Sequence, residues 1–76
     1  MLEKDYWYMR LKNLRNEIDD VRIEIGNFRK LEYLYERCDV LTMTPFKNAK
    51  TIEDWYNAYR KEFDDFMKNY FTSYFK

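Results

Sequence analysis

The chain has 76 residues, 46% of them hydrophobic and 21% aromatic, with 14 basic and 14 acidic side chains, one cysteine and no histidine. That length makes one domain, residues 1–76, with a thin core. The lone cysteine and the missing histidine exclude an internal disulfide and a zinc site of the Cys/His kind, and a formal net charge of zero is unlike the basic balance of a direct nucleic-acid binder.

The first predicted element is a long helix from Leu2 to Ile25. Along it Trp7, Leu11, Leu14, Ile18, Val21, Ile25 and Phe28 alternate steps of four and three, the spacing of a heptad seam. Two uses of that seam are open. It packs inside its own domain, or Trp7, Leu11, Leu14, Ile18 and Val21 form the contact of a homodimer. Val21 to Ile25 also alternates apolar and polar residues in the manner of a strand, and its apolar members are all β-branched. Helix is favoured there, because the following segment alternates too poorly to supply a partner strand. Gly26, the only glycine, suits the C′ position that ends such a helix.

A short second helix is predicted over Leu31–Val40, with Leu31, Leu34, Tyr35 and Cys38 inward. Thr42 to Lys50 reads as a loop. Thr44 precedes Pro45 and is driven to an extended backbone, and Phe46 is expected to fold back onto the core. Thr51-Ile-Glu-Asp54 has the form of a capping box opening a third, long helix over Thr51–Phe75. The fold class expected is therefore all-α: a long N-terminal helix, a short second one and a long aromatic third.

That third helix carries more rings than one contact needs. Trp55, Tyr59, Phe63, Phe66, Tyr70 and Tyr74 recur along one face, and Tyr56, Met67, Phe71 and Phe75 form a second stripe beside it. One stripe is core. The surplus stripe, with Tyr56, Phe71 and Phe75 as its leading members, points to a partner-binding surface, since aromatic residues and Met are enriched in interface cores.

Charge is unevenly placed on this neutral chain. Glu17, Asp19, Asp20 and Glu24 make one acidic stretch, and Glu62, Asp64 and Asp65 a second. Neighbouring carboxylates on a helix diverge by about 100°, so neither doublet converges on a metal ion. Two roles are open: a solvated face, or a contact for a basic surface on a partner. Cys38 has no histidine to activate it and reads as a small buried hydrophobe. No cofactor, metal site or enzymatic activity is expected. The charges at Glu3, Lys4 and Asp5 leave no room for a signal peptide's apolar region, and no apolar run reaches the ~20 residues of a membrane span. Cytoplasmic residence, with no membrane partner, is the expectation.

The glycine-poor composition rich in Lys, Asn, Tyr, Phe, Asp and Glu, closing on FMKNYFTSYFK, resembles small early proteins of phages that infect low-GC Gram-positive bacteria. The resemblance spans the chain and implies a protein of the host's cytoplasm that binds a host DNA-processing protein, such as a sliding clamp, and inhibits it by steric occlusion. Acidic faces would then enter a basic DNA-binding surface. The chain departs from the usual clamp-binding peptide, which begins with Gln, a residue absent here. An anti-CRISPR-type nuclease inhibitor and a structural helical assembly subunit are the alternatives.

Overall fold

Seen in a computed structural model, which describes residues 3–74, the chain forms three helices: α1 (Glu3–Ile25), α2 (Arg29–Thr42) and α3 (Ala49–Tyr74). Among the described residues there is no strand, and the expected all-α order of long, short and long holds. Leu2, Phe75 and the ring of Tyr74 lie outside what is described. In α1 the acids Glu3 and Asp5 occupy the first turn and Arg22 the last, each complementing the helix dipole. The strand-like Val21–Ile25 stays helical. Val21 and Ile25, four apart, pack against the core, while Ile23 points out at 75% exposure.

Gly26 ends α1 with φ +105°, a left-handed conformation that glycine adopts without a Cβ penalty. Its N–H still donates to the Arg22 carbonyl at 3.0 Å, the last bond of the helix. Phe28 then takes an extended backbone as the N-cap of α2 and offers no side-chain hydrogen bond there. Its ring instead lies against Phe66 and Tyr70. α2 closes with the Met43 and Thr44 N–H groups donating to the Val40 and Leu41 carbonyls.

The start of α3 differs from expectation. Thr51 is not the cap. Asn48 is, its Oδ1 accepting from the Thr51 N–H at 3.1 Å and from the Thr51 hydroxyl at 2.9 Å. Asn is as good a cap as Thr, and three residues earlier it gains the extra turn that carries Ala49 and Lys50.

Cross-helix pairs fix the directions. Arg15–Asp39 at 2.9 Å and the Arg22 guanidinium 4.4 Å from the Tyr35 ring make α1 and α2 antiparallel. Lys30–Glu62 and Arg37–Tyr59 make α2 and α3 antiparallel. Trp7–Tyr56 and Glu17–Arg60 leave α1 and α3 parallel. The result is an up–down–up bundle of 43 × 18 × 18 Å. No helix among the described residues is long and apolar enough to cross a membrane.

The core comes from one stripe of each helix: Leu11, Leu14 and Ile18; Leu31, Leu34, Cys38 and Leu41; Ile52, Tyr56, Tyr59 and Phe63. Full burial of such side chains stabilises by roughly 1.5–3 kcal/mol each before entropy is counted. The heptad seam of α1 is therefore used inside the chain. Leu11, Leu14 and Ile18 are buried, and Trp7 and Val21 pack half-buried beside them. This corrects their placement on a dimer contact: three of the five have no surface left to offer a second copy.

α3 is corrected in the same way. Its buried stripe begins at Ile52 and runs Tyr56, Tyr59, Phe63, with half-buried Phe66 and Tyr70 continuing it. Tyr56, expected on the surplus stripe, is core at 7% exposure, and Trp55, expected on the core stripe, is 38% exposed. Among the described residues no buried side-chain nitrogen or oxygen lacks a partner.

Candidate interaction surface

Two arginines solve the problem of burying phenols. Arg10 donates to the Tyr56 hydroxyl at 3.0 Å and to the Tyr6 hydroxyl at 2.8 Å. Its guanidinium lies 4.7 Å from the Tyr56 ring, 5.3 Å from Trp7 and 5.6 Å from Tyr6. From α2, Arg37 Nε donates to the Tyr59 hydroxyl at 3.0 Å. The tyrosine hydroxyls, Tyr56 for Arg10 and Tyr59 for Arg37, hold both guanidiniums more firmly protonated than a free arginine.

Around Tyr59 the rings reach the surface. Trp55 stacks on it at 5.7 Å and 13°, and Tyr33 meets it edge-on at 6.4 Å. Trp55 and Tyr33 are both exposed, with Tyr59 buried between them. Lys30 sits 5.3 Å from the Tyr33 ring while paired to Glu62. Tyr33, Arg37 and Val40 share one face of α2 through their i, i+4, i+7 spacing. Trp, Tyr and Arg around a buried anchor is the composition that dominates binding energy in protein interfaces. Tyr33 and Arg37 were absent from the expected site. The signal was present all the same: two residues past Leu31, Tyr33 cannot share the buried stripe of α2, so a large ring there faces out.

A second group of rings closes the other end of the bundle. Phe28 meets Phe66 at 5.6 Å and Tyr70 at 5.7 Å, and Tyr70 meets Phe71 at 5.5 Å. Phe71 keeps 48% of its surface exposed, so of the surplus stripe's described leading residues it stays outward. Tyr56 is inside, and Phe75 lies outside the described residues.

The acidic stretches are not bare. Glu17 meets Arg60 at 2.7 Å, and Arg60 also reaches Asp64 at 3.2 Å, an arrangement that raises the Arg60 pKa, chiefly through Glu17. Asp19 pairs with Arg22, Glu62 with Lys30, and Asp65 with Lys61 at 3.1 Å. Asp20 and Glu24 have no cation partner among the described residues. The two stretches sit on parallel helices, and Arg60 bridges them. Sequence distance concealed the bridge, because Arg60 lies 43 residues from Glu17. No three metal-ligating side chains among the described residues converge to hold an ion.

Cys38 is fully buried, and desolvation pushes its thiol up to about 11. A thiol so protonated is a poor nucleophile. The loop over α1 is clasped by Tyr8: its hydroxyl donates to the Thr44 carbonyl and accepts from the Phe46 N–H at 2.9 Å. Phe46 packs on the core as expected.

No family model, no curated protein and no solved structure matches this chain.

Proposed function

We propose that the chain is a non-enzymatic binding protein that attaches to another protein through the Tyr33–Trp55–Tyr59 patch between α2 and α3. The observation that carries this is the pair of exposed rings braced on a buried tyrosine, itself fixed by Arg37. Rings held in place before contact lose little side-chain freedom on binding, which favours affinity. The resemblance in composition to phage early inhibitors favours a partner among host DNA-processing proteins, stopped by steric occlusion. Charge contributes less to this contact than an acidic face entering a basic channel would need. Five of the seven acids already have a cation of their own chain, so Asp20 and Glu24 remain to steer encounter.

The test is a pull-down from a bacterial lysate with the intact chain and with a Tyr33→Ser/Trp55→Ser variant as bait. Circular dichroism confirms that the variant is helical. A protein retained by the first and lost from the second supports the reading. A protein held equally by both, or none held by either, ends it.

A further inference from the structure

On the other side of the bundle the first half of α1 and the loop after α2 enclose an open groove of about 520 Å³. Tyr8, Met9, Met43 and Pro45 line it, together with Asp5 and Lys12. Met43 is 70% exposed and Met9 nearly half, more thioether surface than solubility asks for. Asp5 and Lys12 are opposite charges, and neither has an ion-pair partner among the described residues.

Their positions matter as much as their signs. Asp5, Met9 and Lys12 are spaced four and three, so they form one stripe along α1 with the methionine in the middle. Seven residues of helix separate the charges by about 10.5 Å. We propose that this groove pairs with the same groove of a second copy of the chain, the two α1 helices antiparallel about a two-fold axis between residues 8 and 9. That axis stands midway between the charges. It sets Asp5 of each copy against Lys12 of the other, twice per dimer, and Met9 of each against Tyr8 of the other. A self-complementary patch of this kind is what a two-fold contact requires. A patch of one sign would repel its copy. The pairing leaves Tyr33 and Trp55 uncovered, so it stands or falls independently of the proposed target contact.

Sedimentation equilibrium from micromolar to millimolar concentration tests it with Asp5→Lys, Lys12→Asp and the double exchange. The wild type is expected to dimerise. Each single exchange turns two attractions into two repulsions and should raise the dimer Kd roughly tenfold or more. The double exchange restores opposite pairs and should return the Kd to near the wild-type value. Met43→Lys, at a site that cannot empty the core, should weaken association too and decides the matter if Asp5→Lys loses helicity. A monomeric wild type, unaltered association in the single exchanges, or a double exchange as weak as the singles would each overturn the proposal.

Discussion

Both halves of α3 are rich in rings, and the rings meet different fates. From Ile52 to Phe63 the rings of Tyr56, Tyr59 and Phe63 are buried. From Phe66 onward Phe66, Met67 and Tyr70 are only half-buried, and Phe71 is exposed. The difference is one of neighbours. α2 has 14 residues against 26 for α3, or about 21 Å of helix against about 39 Å. Where α2 and α1 flank α3 on two sides, Tyr56, Tyr59 and Phe63 go inside and of the rings only Trp55 stays exposed. Past that, at the turn over Gly26 to Phe28, the Phe28 ring meets Phe66 and Tyr70 and leaves them half-buried. A hydrophobic residue is core only if the architecture supplies a second surface to bury it against.

Truncations along α3 test that contrast most directly. Phe63→Ala should cost about 3–5 kcal/mol, a large part of the stability of a domain this size. Tyr56→Ser should likewise cost about 3 kcal/mol or more, since it also removes one of the two hydroxyls that Arg10 donates to. Phe71→Ser should cost about 1 kcal/mol or less. Urea melts rank the three, and equal losses at residues 63 and 71 would abolish the distinction between the halves.

A second probe asks how dry the buried end is. Cys38 has its thiol raised from an ordinary 9.0 to about 11. Between those values the unfolded chain releases the proton and the folded chain keeps it. Stability is therefore lost as pH rises through that window, by roughly 2 kcal/mol from this group. In Cys38→Ala the fall in stability between pH 8 and pH 11 should shrink by that amount. An unchanged pH profile would mean that water reaches the sulfur.

A small effect belongs to the loop that joins α2 to α3. Tyr8→Phe removes the hydroxyl that bridges Thr44 and Phe46. It should cost about 0.5–1.5 kcal/mol. Faster amide exchange at Phe46, with exchange at Tyr59 little altered, would localise the loss to the clasp.

Much of this architecture was legible in advance. The α1 seam, the Gly26 break, the Pro45 loop with Phe46 turned inward and the buried Cys38 all follow from spacing or backbone restriction acting within a few residues. Which stripe of α3 faces inward did not follow. Leading the count from Trp55 instead of Ile52 rotates the face and exchanges Trp55 with Tyr56, and with rings on both sides the period alone cannot choose. The link between the two acidic stretches stays hidden for a related reason, because Arg60 reaches Glu17 across 43 residues of chain while pairing with Asp64 on its own helix.

What the sequence determined by itself is local: three helices, their breaks and the residues able to fill a core, because propensity, capping and periodicity act over one or two turns. Only the tertiary structure decided which rings remain outside, which carboxylates are paired across helices, and that Asp5 and Lys12 share a groove with two methionines. Those outcomes depend on how much surface the neighbouring helices cover, and that is set by the relative lengths and directions of elements far apart in the chain.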